Sequence, residues 1–188
     1  MTHKAENLLR SVVASKISPL EELLGGGLPV RAITEMGMPL GRQGRDLLLP
    51  FLAEVTGTKQ MALWIYGHAD MMVYPPTFFA AGVVANKMVF AQAKDSLQAM
   101  VPALTSPLFK MIVIDAPQKF TDRDGFFLRN QAEAHDQRIV LIRNYFLSNK
   151  CGSSWARLRI NAWGDSLEDG YHLVAVKGLI LPWRILRI

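Results

Sequence analysis

Ile33-Thr-Glu-Met36, then Gly37-Met-Pro-Leu-Gly41-Arg-Gln-Gly44-Arg45-Asp46, then Leu47-Leu-Leu-Pro-Phe-Leu-Ala-Glu-Val55 read in order as a short apolar strand, a glycine-spaced loop and a helix. A strand feeding a glycine loop that opens a helix is the layout of a phosphate-binding loop. Glycines let backbone N–H groups turn inward, and the helix N-terminus adds its positive end. The usual form, G-x-x-x-x-G-K-[ST], puts Lys on the outer phosphates and a hydroxyl on Mg²⁺. Here Gly44-Arg45-Asp46 stands in place of Gly-Lys-Ser/Thr, and no glycine lies five residues before Gly44. The planar fork of Arg45 does not replace a compact ammonium. Asp46 sets a carboxylate where phosphate oxygens would lie, and two like charges at ~4 Å in an effective dielectric near 20 cost about 4 kcal/mol. The loop keeps its layout and loses its chemistry. A plainer reading has Asp46 as the N-cap of a helix from Leu47, with Pro50 in its opening turn.

Outward from this stretch, strands alternate with helices. Val30–Met36 is the first strand, and Met61–Tyr66 is a continuous apolar run of the kind buried on both faces. Gly67-His68-Ala69-Asp70 leaves that strand, and Pro75–Gly82 reads as a helix with proline at its start and glycine at its end. Lys87–Ala91 is a strand, and Asp95 caps a helix through Leu104 that Pro102 bends or ends. Lys110–Asp115 is a strand ending in a carboxylate, followed by a helix over Arg123–His135 and a strand at Arg138–Arg143. This rhythm predicts βαβ units and a mainly parallel sheet. In such sheets ligands sit at the carboxyl ends of strands, where Asp115, His68 and the Gly37–Asp46 loop fall. From Trp155 the pattern changes to strict alternation, with strands at Trp155–Trp163, Tyr171–Lys177 and Trp183–Ile188 and a hairpin loop at Gly164–Gly170. These three are expected to extend the sheet in antiparallel fashion.

On the N-terminal side, Ala5–Lys16 reads as an amphipathic helix with Leu8, Leu9, Val12 and Val13 on one side, set apart by Ile17-Ser18-Pro19. Leu20–Leu24 adds a helical turn or two, stopped by Gly25-Gly-Gly27. Residues 1–19 are thus expected to form an N-terminal helix or arm, and residues 20–188 a single domain.

Composition bounds the classes. The chain has 188 residues, half of them apolar and 20% charged, as expected of a folded domain with a proper core. Its single cysteine, Cys151, excludes an internal disulfide framework and suits a reducing compartment. The N-terminus lacks the layout of a signal peptide, and no apolar run nears the roughly 18–20 residues of a membrane span, so a cytoplasmic protein without a membrane partner is expected. The net charge of +5 favours an acidic partner only weakly.

The order of these pieces resembles the core of the RecA recombinases, through a chain of local echoes over about residues 20–188. Leu20-Glu-Glu-Leu-Leu-Gly-Gly-Gly-Leu-Pro is similar to the segment leading into the RecA phosphate-loop strand. Phe90-Ala-Gln-Ala-Lys-Asp-Ser-Leu-Gln-Ala resembles the strand and helix around that family's Gln-Pro-Asp. Met111-Ile-Val-Ile-Asp115 looks like its Walker B strand, and the last strands, with Val176-Lys177 and Leu181-Pro182, look like its closing hairpin. The resemblance implies a RecA-like three-layer α/β/α fold with a mainly parallel central sheet and antiparallel C-terminal strands. Departures accompany it: the Walker lysine and hydroxyl are replaced, and Tyr66-Gly67-His68 stands where RecA carries the Asp-Ala-Glu that activates water. The second DNA-binding loop would be short, between Asn144 and Ser154, and the family's C-terminal domain is not expected. Among RecA relatives, a compact core with Gly-Gly-Gly-Leu-Pro, Leu-Leu-Leu-Pro and Tyr-Pro-Pro most resembles the ImuA family and its SulA-related relatives.

The ImuA resemblance implies a non-catalytic accessory factor in bacterial damage-induced mutagenesis, with an ImuB-like Y-family polymerase homologue as partner. The SulA resemblance implies a division inhibitor that binds FtsZ, and a weak RecA-like ATPase or single-strand-binding protein is the third alternative. An ATPase needs Mg²⁺ placement, phosphate neutralisation and a water-positioning group. Gly37, Gly41, Gly44, Arg45, Asp46 and Asp115 hold the degenerate phosphate-loop and Walker B positions. No catalytic residue and no cofactor are expected, beyond residual nucleotide or anion binding at Gly44 and Arg45. His68 reads as an ordinary loop histidine, and the four histidines and Cys151 show no metal-ligand spacing. Basic residues gather as Lys119, Arg123 and Arg129 after Asp115, and as Lys150, Arg157 and Arg159 near the second loop, with Arg157 and Arg159 on one strand face. By the resemblance these are the DNA-contacting positions, which would associate the protein with the nucleoid. The neighbouring Phe120, Phe126, Phe127, Tyr145, Phe146 and Trp155 suit base stacking or a core equally.

Overall fold

The computed structural model describes residues 12–13, 24, 26–67, 72–93, 97–149, 153–165, 170–178 and 183–187, with side chains for all of these except 12–13, 165 and 183–187. The described strands are β1 (Val12–Val13), β2 (Leu28–Pro29), β3 (Ala32–Gly37), β4 (Met61–Tyr66), β5 (Met88–Gln92), β6 (Phe109–Asp115), β7 (Arg138–Arg143), β8 (Leu158–Asp165), β9 (Gly170–Lys177) and β10 (Trp183–Arg187). The α-helices are α1 (Leu49–Gly57), α2 (Pro75–Ala80), α3 (Val101–Leu104) and α4 (Asp122–His135). Short 3₁₀ turns at Arg45–Leu48 and Leu97–Met100 lead into α1 and α3.

The central sheet has eight strands in the order β10-β9-β8-β3-β7-β6-β4-β5. From β8 to β5 every neighbouring pair is parallel, and β9 and β10 close the other edge as antiparallel strands. The alternation of residues explains the layers. Met36, Ala62, Trp64, Met111, Val113, Val140 and Ile142 face one side, where they meet Leu52 and Val55 of α1 and Phe78 of α2. Ile33, Leu63, Ile65, Ile112, Ile114, Ile139 and Leu141 face the other, where they meet Leu104 of α3 and Leu128 and Ala132 of α4. Strands covered on both faces must be apolar on both, which is why they read as unbroken hydrophobic runs. The expected α/β architecture, mainly parallel with antiparallel C-terminal strands, is the observed one.

Helix ends follow local chemistry. Thr121 caps α4 by a reciprocal pair: its hydroxyl oxygen accepts from the Asp124 N–H at 3.3 Å, and the Asp124 carboxylate accepts from the Thr121 N–H at 2.8 Å. The helix ends at Asp136 in the left-handed conformation, φ 53°. Within it Gly125 lies against the Trp155 ring so closely that a Cβ would sit 2.4 Å from the indole.

Four expectations need correction. Val12–Val13 lies in a short strand paired with Leu28–Pro29, not in a helix; β-branched valines beside an open backbone edge pair readily. The rest of the expected N-terminal helix falls outside the described residues, as do Asp95 and the tip of the Gly164–Gly170 loop. Second, β8 joins β3 in parallel, so only β9 and β10 run antiparallel. Third, β8 begins at Leu158, because Trp155 is drawn out of the strand into the core on α4, its Nε1–H donating to Asp122 at 3.2 Å. Fourth, Asp46 caps no helix. It lies inside the 3₁₀ turn, whose N-cap is Gly44, and α1 starts at Leu49.

Candidate functional site

The carboxyl ends of β3, β4, β6 and β7 gather at one edge of the sheet, and the glycine loop crosses above them. β7 lies between β3 and β6, so the loop must pass over its end to reach Asp115. It is fastened along the way. The Met38 N–H donates to the Arg143 carbonyl at 2.8 Å, and the Gln43 carbonyl accepts from the Gly164 N–H at 2.7 Å. Gly44 has φ 148°, which an L side chain adopts only with strain, and a Cβ there would lie 3.3 Å from the Ala162 carbonyl oxygen. Gly37 is glycine for lack of room: a Cβ would come within 2.1 Å of Asn161 Oδ1. That amide is itself committed, accepting from the Leu147 N–H at 2.6 Å and donating to the Leu147 carbonyl at 2.9 Å.

So held, the loop delivers Arg45 to Asp115. Arg45 Nε donates to the two carboxylate oxygens of Asp115 at 3.0 and 2.8 Å. Asp115 ends β6 and is 1% exposed, whereas Arg45 keeps 21% of its side chain open to solvent. Burial raises the pKa of Asp115 above the ordinary carboxylate value, and the Arg45 hydrogen bond and charge work against that rise, aided by the neighbouring Trp64. Asp46, exposed, accepts a hydrogen bond from the Tyr171 hydroxyl of β9. Burial, with Asp46 as the second cause, pushes the Tyr171 phenol far above its ordinary range, so the hydroxyl keeps the proton it donates to Asp46.

The sequence-predicted positions therefore divide. Gly44, Arg45, Asp46 and Asp115 converge, while Gly37 serves strand packing and Gly41 is an exposed turn residue with φ 78°. Of the basic positions, Lys119, Arg123, Arg129 and Arg157 are exposed, Arg129 pairing with Glu133 at 3.4 Å. Lys150 and His68 lie outside the described residues. Arg159 is the correction: Arg157 is exposed and precedes β8, whereas Arg159 lies within the strand and is buried, its Nε donating to Glu35 at 2.9 Å. The aromatics divide as well. Phe120 and Trp155 pack together under the Arg143 guanidinium, which stands 4.5 Å from the Phe120 ring centre, whereas Phe126, Tyr145 and Phe146 are exposed.

Glu35 is what sequence reading missed. It is 1% exposed in the middle of β3, and its carboxylate accepts from Arg143 Nε and Arg159 Nε at 2.9 Å each and from the Ser153 hydroxyl at 3.2 Å. The register explains the pairing, since Arg159 of β8 lies directly opposite Glu35. The available signal was the carboxylate itself: one acid inside a strand buried on both faces demands cationic partners.

Among the described residues no group of three or more His, Cys, Asp or Glu side chains is arranged to hold a metal ion, and no helix is long and apolar enough to cross a membrane. No protein-family model matches the chain, and no curated protein matches it in sequence.

Proposed function

We propose that this chain is a non-catalytic RecA-like accessory protein of the ImuA kind, acting in the bacterial DNA-damage response by binding a Y-family polymerase homologue rather than by hydrolysing ATP. The observation that carries the pseudo-enzyme half of this reading is the Arg45–Asp115 pair. In a working site the carboxylate ending this strand helps place Mg²⁺ and the loop cation contacts phosphate. Here the two groups bind each other at 2.8 Å, so each neutralises the other in place of metal and nucleotide. Asp46 adds a carboxylate to the same wall and repels phosphate further. The polymerase half rests on the family resemblance. Titration with a fluorescent ATP analogue and Mg²⁺ tests the first half: no saturation into the millimolar range and no phosphate release are expected, and micromolar binding with turnover would overturn it. Capture of a purified ImuB-like polymerase homologue by the purified chain tests the second, and FtsZ capture in its place would favour the SulA-like alternative.

A further inference from the structure

Two aromatic side chains stand open to solvent one after the other past the carboxyl end of β7: Tyr145 is 54% exposed and Phe146 48%. Their backbone is fastened on both sides. The Arg143 carbonyl accepts from the Met38 N–H, and the Asn161 amide takes both the N–H and the carbonyl of Leu147, itself buried. Phe146 stands at 70° to the Trp163 ring, 5.1 Å between centres. Trp163 in turn stacks at 4.9 Å on His172, its partner across β8 and β9. Rings left open to water on a backbone held at both ends lose little freedom on binding, which is what suits aromatic side chains to anchor protein interfaces.

Charge says what kind of partner they meet. β7 lies between β3 and β6 in the sheet, so the segment rises between the loop carrying Arg42 and the loop carrying Lys119. Both cations are exposed and, among the described residues, form no ion pair. The acids described along the same edge are already engaged: Asp115 by Arg45, Asp46 by Tyr171, Asp122 by Trp155 and Asp124 by Thr121. The unmatched charge beside the rings is therefore positive, and its complement is a carboxylate. Nucleic acid fits less well. Its bases need open ring faces and its backbone a continuous basic groove, whereas His172 covers a face of Trp163 and the two cations sit on separate loops.

We propose that Tyr145 and Phe146 anchor a docking surface for an acidic, apolar segment of a protein partner, the two rings meeting its apolar side chains and Arg42 and Lys119 pairing with its carboxylates. This surface rests on the polymerase partnership argued above and deepens it, since it names where on the chain the partner sits and what its segment is made of.

Binding of the full chain to the immobilised, purified ImuB-like polymerase homologue, followed by interferometry, reads the surface directly. Tyr145→Ala and Phe146→Ala are each expected to weaken binding about thirtyfold, the effect of removing an interface anchor. Leu108→Ala, exposed just before β6 at the opposite end of the sheet, is expected to leave it unchanged. Arg42→Glu/Lys119→Glu is expected to weaken it about tenfold and to flatten its dependence on salt. Should Phe146→Ala disturb the Trp163 packing, Tyr145→Ala, at the more exposed ring, gives the same reading. Affinity unchanged within about threefold in both alanine variants overturns the surface and leaves the partnership standing. No binding by the wild-type chain overturns the partnership and the surface with it. Unchanged binding in the charge-reversed variant overturns the acidic occupant. A single-stranded dT oligonucleotide that the chain binds, and that both alanine variants lose, assigns the surface to nucleic acid and overturns the proposal equally.

Discussion

Replacing Arg45 by Met keeps the length and apolar stem of the side chain and removes its charge, so the change isolates one question: what Asp115 is worth without its partner. Breaking a buried ion pair from one side costs about 3–5 kcal/mol, because the remaining charge stays desolvated. Asp115 is 1% exposed, but the Arg45 side chain is 21% exposed, so water already screens the pair from one side and the lower end applies. An expected loss of about 3 kcal/mol lowers the melting temperature by about 6–12 °C for a domain of this size. The loss depends on pH. Burial already holds Asp115 above its ordinary pKa, and removing Arg45 takes away the main influence opposing that rise. A carboxyl whose folded pKa is raised contributes stability below its unfolded pKa and loses it as pH rises through the folded value. The Arg45→Met defect is therefore largest at neutral and alkaline pH and shrinks as the solution is made acidic, where Asp115 is protonated. Urea unfolding followed by circular dichroism at several pH values measures this, and Arg45→Met/Asp115→Asn is expected to recover most of the loss at neutral pH. A loss under about 1 kcal/mol, or one independent of pH, would refute the claim that Asp115 relies on Arg45 to neutralise it.

Other outcomes follow from the same geometry. Arg159→Ala takes one of two guanidinium partners from the buried Glu35 carboxylate and leaves Arg143 on the other oxygen, so the cost expected in urea unfolding is about 3 kcal/mol, the lower end for a broken buried pair, while Arg157→Ala, at an exposed position, stays within about 0.5 kcal/mol. If single-stranded DNA is bound, its salt-dependent affinity falls with Arg123→Ala or Arg157→Ala, whereas any effect of Arg159→Ala tracks lost folding. Gly37→Ala forces a methyl against Asn161 and the 145–147 backbone, and thermal unfolding should register about 1–3 kcal/mol of overpacking. Leu128→Ala, fully buried between α4 and the sheet, should cost about 2–5 kcal/mol by the same measurement.

Much of the fold was legible because strands such as Met61–Tyr66 and Met111–Ile114 are apolar on both faces, a pattern that short segments rarely show unless both faces are covered. The loop was legible for a local reason too, since its glycines and the Arg45-Asp46 pair sit within a few residues of one another. What sequence could not give is pairing between distant segments. Nothing near Arg159 marks it as inward-facing; its partner Glu35 is 124 residues away and becomes its neighbour only through the β3–β8 register. Tyr171 reaches Asp46 across 125 residues in the same way. Trp155 misled differently. Its alternation with the following residues is real, but the hollow over Gly125 draws it out of register.

The central position of β3 bears on how the chain comes to be folded at all. Its two neighbours are β7 and β8, and the arginines that meet Glu35 follow it by 108 and 124 residues. During synthesis at about 5–20 residues per second, the strand waits many seconds with both edges unpaired. An apolar segment in that state is a template for aggregation, and an acidic residue within such a segment is the kind of interruption that opposes self-association. In the finished core the same carboxylate ties β3 to the strands on either side of it, through Arg143 of β7 and Arg159 of β8.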